Sequence, residues 1–439
     1  PIYINYAPVV DVNNNPDNPV INFRSFGSDR DMVTTKGLAY MKGMQSQKLF
    51  CTAKHFPGHG DTDVDSHHDL PIILHNKNRL FDIELYPFKR LIDSGLSGIM
   101  TAHLEIPSLE PVKGLASTFS PNIIFKLLRD ELKFQGLIFT DAMEMQGAVK
   151  NYPKGEAMVR ALLAGNDILE TFMDVAGAVS AIKEAVYQGR ISMDMIDYKV
   201  RKILMAKSWV GLDQYAPVSM INLVEDLNSI TSDILNYKLN EKSITCLKNE
   251  NDLLPVKDLT KKMAVLSIES EEVSDFYRMI NNYLQTDYFY LPKNAGDSLI
   301  TATFSVLANY DIILASVHLI NIRASNKYGL TPVNTKLLAY LAQKENVILC
   351  ILGNPFILSK IPELAQCKSL VMAYQQSKYT ENATAQVVLG ALAASGKLPV
   401  EINADFRFGM NVTWEKMDRL TYGIPELVGI DRYVLNNGI

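Results

Sequence analysis

Between residues 54 and 71 the chain reads KHFPGHGDTDVDSHHDLP, a stretch holding four of its seven histidines, four aspartates and two glycines. A segment this ionisable is not core, and three kinds of chemistry compete for it. Asp61, Asp63 and Asp65 have the alternating rhythm of an EF-hand calcium loop. That loop also needs Gly at its sixth position and Glu at its twelfth, where this chain has Ser66 and Ile72. His55, His59, His67 and His68 are zinc-ligand types, yet their spacing fits no standard zinc pattern and the prolines stiffen the strand end. The favoured reading is proton transfer. Asp65 stands two residues before His67, and a neighbouring carboxylate fixes an imidazole's tautomer and tunes it toward neutrality, as a general acid/base requires.

A second reactive position is Asp141, directly after the apolar run GLIFT. A carboxylate at the end of a buried strand is presented to a cleft, where it can act as a nucleophile; the plainer alternative is an N-cap for the following segment. Arg24 in FRSFG and His103 closing MTAH complete the ionisable candidates. The plainer roles for these two are a surface salt bridge and a core histidine satisfied by backbone. Asp11 and Asp167 end strands and read as structural.

These side chains need a scaffold, and residues 1–212 supply one pattern throughout: short apolar strands alternating with amphipathic helices, which predicts a parallel α/β domain. Strands are expected at 3–10, 49–55, 98–103, 137–140 and 167–169. One helix is announced by Ser120 as cap and Pro121 at the first position, with Ile123, Ile124, Leu127, Leu128 and Leu132 at helical spacing. Another is expected over 173–187. Chemistry gathered at the carboxyl ends of parallel strands suits a (β/α) barrel and a doubly wound sheet alike. Residues 213–239 read as a linker with a short helix. A second α/β domain follows over 240–411, with strands at 263–269, 310–318, 346–353 and 369–375, and 412–439 reads as a tail or the start of a further segment.

The run KHFPGHGDTDVDSH resembles the signature of glycoside hydrolase family 3, in its branch of bacterial β-N-acetylglucosaminidases. FTDAMEM at 139–145, APVVDV at 7–12, MTAH at 100–103 and AGNDILE at 164–170 extend the likeness. The resemblance decides between the two folds. It implies a (β/α)8 TIM-type barrel followed by an α/β sandwich domain. It implies roles as well: Asp141 as nucleophile, His67 as acid/base partnered by Asp65, Lys54 and His55 on sugar hydroxyls, Arg24 on the sugar, and His103 lining the cleft. In many relatives the second domain supplies a glutamate acid/base, which the histidine dyad makes dispensable here. The implied reaction is release of β-linked N-acetylglucosamine from muropeptides or chitooligosaccharides by double displacement, without cofactor or metal, in a bacterial periplasm or cell envelope. β-Glucosidase or phosphorylase activity stays open, as does a non-catalytic glycan-binding protein. Set against the family, the chain begins at a strand the barrel places third, so the barrel is expected to lack its first strands.

Composition narrows the partners. With 47% hydrophobic and 21% charged residues the chain can bury sizeable cores, and a formal charge of −5 gives no basic footprint for nucleic acid. A carbohydrate is the expected partner, with the oligomeric state open. No apolar run reaches the ~18 residues of a membrane span. Cys51, Cys246, Cys350 and Cys367 are far apart and read as buried free thiols. No G-x-G-x-x-G turn follows any strand, which argues against a dinucleotide site.

Overall fold

A computed structural model of the chain describes residues 2–64, 69–145, 152, 153, 155–171, 173–270, 273–319 and 321–438. The chain divides into two compact units, Pro1–Val218 and Ser219–Ile439.

The first unit is built on four parallel strands, β1 (Ile4–Asn5), β2 (Phe50–Phe56), β3 (Gly98–Thr101) and β4 (Leu137–Thr140), lying side by side in that order. A single bridge, Phe139 to Ile168, marks where the next strand was expected. Helices Arg30–Ser46, Leu85–Asp93 and Asn122–Glu131 fill the connections. Their starts follow local chemistry: Asp29 accepts from the Met32 amide at 2.7 Å and Ser120 Oγ from the Ile123 amide at 3.1 Å.

Strand alternation sorts the side chains into two cores. Cys51, Ala53, Ile99 and Ile138 pack outward against Val33, Met41, Phe88, Leu91, Ile124 and Leu128 of the helices. Phe50, Met100, Leu137 and Phe139 form a separate cluster on the opposite face, with Tyr6 and with Ile203 and Ala206 of helix Met193–Trp209. Continuing the period of two from Phe50 and Leu137 brings Lys54 and Asp141 to this same face at the carboxyl ends, where a barrel places its chemistry.

The second unit holds a six-stranded sheet: β5 (Thr245–Asn249), β6 (Met263–Ile268), β7 (Asp287–Leu291), β8 (Ile312–His318), β9 (Val347–Leu352) and β10 (Ser369–Met372). The spatial order is β5-β10-β9-β8-β6-β7, parallel except that β5 runs antiparallel to β10. Alternation again builds two cores, one on each face. Leu266, Ile268, Ala315, Val317, Leu349 and Ile351 belong to one, and Val265, Leu314, Ile348, Cys350 and Val371 to the other. This is a helix-flanked α/β sandwich. Beyond it, Val412 donates to the Cys246 carbonyl at 2.7 Å and Trp414 bridges Ala394, tying residues expected as a tail onto this unit.

All four cysteines are free and buried. Burial pushes the thiols of Cys51, Cys246 and Cys367 up to about 12, so each stays protonated. Among the described residues no helix is long and apolar enough to cross a membrane.

Candidate functional site

The ends of β2 and β4 and the segment after β1 converge on one cluster. Asp11, fully buried, holds it together: its Oδ1 accepts from the His59 amide at 2.7 Å and the His55 amide at 3.1 Å, and its Oδ2 lies 2.7 Å from His55 Nδ1. The other ring nitrogen of His55 faces Arg24 Nη2 at 3.2 Å. A guanidinium only donates, so Nε2 must accept. Nδ1 therefore carries the hydrogen and gives it to Asp11, which fixes both tautomer and ring plane. Burial pushes the Asp11 carboxyl up, but His55, which is both close and hydrogen-bonded, and His59 outweigh it and hold it below the usual carboxylate range.

The loop leaving β2 is clamped to the same place by two glycines. Gly58 has φ +128°, and a Cβ there would lie 2.7 Å from the Glu84 side chain; a Cβ on Gly60 would lie 1.9 Å from the Val12 carbonyl oxygen. Asn18 Nδ2 donates to the His59 carbonyl at 2.8 Å. His59 is buried and its imidazole, bonded through Nδ1 to Thr62 Oγ1 at 2.8 Å, is pushed down to about 4, first by burial and then by His55. At neutral pH it is an uncharged structural ring.

Asp141 sits where β4 ends. Its amide donates to the Thr101 carbonyl at 3.0 Å, and its own Oδ1 accepts from the Ala142 amide at 2.8 Å. Burial raises its carboxyl, yet His55, His103, the Ala142 bond and Lys54 together hold it below the ordinary value. Lys54 is pushed down by burial and by Arg24, and opposed by Asp141, Asp11 and Glu170. Glu170 in turn is pushed up by burial and by Asp141. The cluster is thus a mostly buried carboxylate kept ionised by the imidazole, ammonium and amide groups around it, with a second carboxyl beside it.

The sequence-derived candidates fall as follows. Lys54, His55, Arg24 and Asp141 come together. His103 is buried, its Nδ1 2.9 Å from Thr118 Oγ1 and its Nε2 donating to the Ala142 carbonyl at 3.2 Å, so it acts on Asp141 from within the protein. Asp65 and His67, with Ser66 and His68, lie outside the described residues. Asp11, structural by its sequence context, has His55 as its partner; Glu170, in the motif AGNDILE, carries no local signal that sets it apart. Asp167 does anchor structure, accepting from Arg129 Nη2, Lys202 Nζ and the Ile138 amide at 2.8, 2.8 and 2.9 Å.

For the metal readings, both ring nitrogens of His55 are engaged by Asp11 and Arg24. Asp61, His75 and Glu84 do converge within 4.8 Å. Arg79 Nη1 already binds both Glu84 oxygens at 2.6 and 2.7 Å, however, and Asp61 is paired with His75. Burial pushes the Glu84 carboxyl up. This is a satisfied hydrogen-bond network, a poor donor set for a cation.

Comparison with known proteins places these features among relatives. The family profile described as glycosyl hydrolase family 3 N terminal domain matches residues 1–206, and that of the C-terminal domain matches residues 244–422. A β-hexosaminidase A of Pseudoalteromonas piscicida is 27% identical over 450 residues, covering 92% of this chain and 74% of that protein. A β-hexosaminidase of Idiomarina loihiensis is 36% identical over 213 residues, 48% of this chain and 62% of the relative. Among solved structures, a glycoside hydrolase family 3 β-N-acetylglucosaminidase from Paenibacillus sp. str. FPU-7 is 32% identical with a TM-score of 0.76, covering 92% of this chain and 77% of that one. The β-glucoside phosphorylase BglX shares the fold at 22% identity and a TM-score of 0.77, over 92% and 75% of the two chains.

Proposed function

Because the chain belongs to glycosyl hydrolase family 3, we propose that it is a retaining glycosidase that releases β-linked N-acetylglucosamine from a glycan such as a muropeptide or chitooligosaccharide. The observation that carries this reading is Asp141, a mostly buried carboxylate held ionised at a strand end by His55, His103 and Lys54. A carboxylate in that state is a competent nucleophile toward an anomeric carbon. The names of the relatives, β-hexosaminidase and β-N-acetylglucosaminidase, support the choice of sugar.

In the first step an Asp141 oxygen bonds to the anomeric carbon while the bond from that carbon to the departing oxygen breaks. The electron pair leaves with that oxygen, and His67 gives it a proton. In the second step His67 takes a proton from water, whose oxygen attacks the same carbon and frees Asp141. Two inversions retain the configuration. The usual template uses two carboxylates, and here an imidazole oriented by Asp65 stands in for one. Lys54 and Arg24 donate to the sugar hydroxyls, and His55, pre-set by Asp11 with Nε2 as an acceptor, accepts from one.

The test compares hydrolysis of 4-nitrophenyl β-N-acetylglucosaminide with that of the β-glucoside, in the wild-type chain and in Asp141→Asn. The N-acetylglucosaminide should be the better substrate, and the variant should lose about 10⁴-fold or more in turnover while keeping its fold. Near wild-type turnover in Asp141→Asn, or labelling of Glu144 by a mechanism-based fluorosugar, would overturn the assignment.

A further inference from the structure

In the second unit the neighbours β7-β6-β8-β9-β10 stand in the order two-one-three-four-five of a doubly wound sheet. The chain leaves β6 toward β7 on one side and then crosses to β8 on the other, so the connections after β6 and β8 part. Open α/β sheets bind ligands in the crevice that such a parting leaves outside the carboxyl ends of the strands.

A cavity of about 660 Å³ lies at that place, within the range of small-molecule sites. Its wall follows the topology: Glu269 comes directly after β6, Tyr290 and Lys293 from the end of β7, His318 closes β8, and Asn321 and Arg323 lie in the segment that follows. Three further observations mark it. His318 is fully buried, with Nε2 on Ser316 Oγ at 3.0 Å and Nδ1 without a hydrogen bond, the Glu381 carboxylate standing off at 3.7 Å. An unmade hydrogen bond on a buried ring asks for a functional reason. Next, Lys327 and Tyr328 at the crevice edge are left-handed, with φ 49° and 56°, and Tyr328 is buried. A bulky residue held there is backbone strain of the kind found at binding sites. Finally, the described wall offers two cations, Lys293 and Arg323, against one carboxylate, Glu269, which is itself hydrogen-bonded by Asn334 Nδ2 at 2.8 Å.

We propose that this crevice binds a small anion carried on a hydroxylated frame, a sugar phosphate or a sugar acid, with Lys293 and Arg323 on the anionic group and Glu269 and Asn321 on hydroxyls. Asn321 Oδ1 is taken by the Arg323 amide at 3.0 Å, which leaves its amide nitrogen to donate. A dinucleotide is not the occupant, since no G-x-G-x-x-G turn follows β6.

The site is tested by isothermal titration of the full chain carrying Asp141→Asn, in saturating N-acetylglucosamine, so that neither turnover nor sugar binding at the Asp141 cluster contributes. Glucose 6-phosphate, glucuronate, glucose and orthophosphate are the probes. Glucose 6-phosphate or glucuronate should bind saturably, about tenfold or more weaker in Arg323→Ala and in Lys293→Ala, with glucose silent. Absence of saturable binding by both charged sugars, or affinities unchanged in both variants, would overturn the site. Glucose binding equally well would overturn the role of charge. Orthophosphate binding as tightly as glucose 6-phosphate would overturn the hydroxylated frame.

Discussion

Asp11 takes hydrogen bonds from the amides of His55 and His59 and from the His55 ring, and the three donors respond differently to its replacement. Asp11→Ala would strand all three in the interior, at ~1–3 kcal/mol each, and should destabilise the first unit by roughly 3 kcal/mol or more. Asp11→Asn keeps one carbonyl oxygen for the amides but turns an NH₂ toward the Nδ1 hydrogen, so the His55 ring must change tautomer or rotate away from Arg24. Asp11 is therefore a positioning residue that acts through His55. Since substrate binding is the role proposed for His55, Asp11→Asn should raise KM by about 10- to 100-fold with a much smaller change in kcat. Steady-state kinetics beside a melting curve checks this; a loss confined to kcat, or one that merely tracks unfolding, would rule it out. The same residue shows what a sequence does not reveal. Lys54, His55 and Asp141 are legible because a dense ionisable run and a strand-end carboxylate are local patterns. Asp11 also follows an expected strand, but its partner lies 44 positions along the chain, and nothing in APVVDV distinguishes a carboxylate that orients an imidazole from one that caps a helix.

Most strands declared themselves by apolar runs, and those that did not have physical reasons. The expected strand at 3–10 is reduced to β1 and a single bridge from Val9 to Lys54, because Pro8 has no amide to give the ladder. β7, reading DYFYL, is an edge strand with three half-buried residues and one exposed, so it lacks the continuous apolar run of its neighbours. β5, reading TCLKN, is the antiparallel edge with three polar residues of five, and is hidden for the same reason. The loop leaving β2 has a stem whose tolerance is testable at Gly60, with Gly43 of helix Arg30–Ser46 as the control. Gly60→Ala puts a Cβ 1.9 Å from the Val12 carbonyl oxygen, a backbone atom that cannot step aside. It should cost stability and displace the loop that follows. In helix Arg30–Ser46, Gly43 has nothing within 4 Å of an added Cβ, and Gly43→Ala should stabilise by roughly 0.5–1 kcal/mol. Melting temperatures moving in opposite directions, with activity lost only at Gly60, is the expected outcome. Equal tolerance at both positions would mean the stem is not clamped.

Among the described residues, each unit buries a histidine pushed down to about 4 by its burial, His59 in the first and His318 in the second. The second unit adds a counterweight. Glu381 beside His318 is pushed up to about 7, chiefly by burial, with Asp275 adding to the rise and the Phe276 amide and Gln376 opposing it. The signs differ. A carboxyl raised from 4.5 to about 7 keeps in the folded state a proton that the unfolded chain releases, so its contribution is complete below about 4.5 and is lost as pH rises to about 7. An imidazole lowered from 6.5 to about 4 refuses a proton that the unfolded chain takes up, so its contribution is complete above about 6.5 and is lost as pH falls to about 4. Each shift corresponds to about 3 kcal/mol at most, and over nearly the same window the two oppose one another. Wild-type stability in this unit should therefore change little on their account between pH 4.5 and 7. Glu381→Gln leaves the histidine alone, and the variant's melting temperature should fall on acidification. His318→Gln leaves the carboxyl alone, and that variant should melt at higher temperature as pH drops from 7 toward 4.5. Calorimetry of both variants across this range reads the two slopes directly, and slopes of the same sign would show that the pair does not set the pH response of the unit.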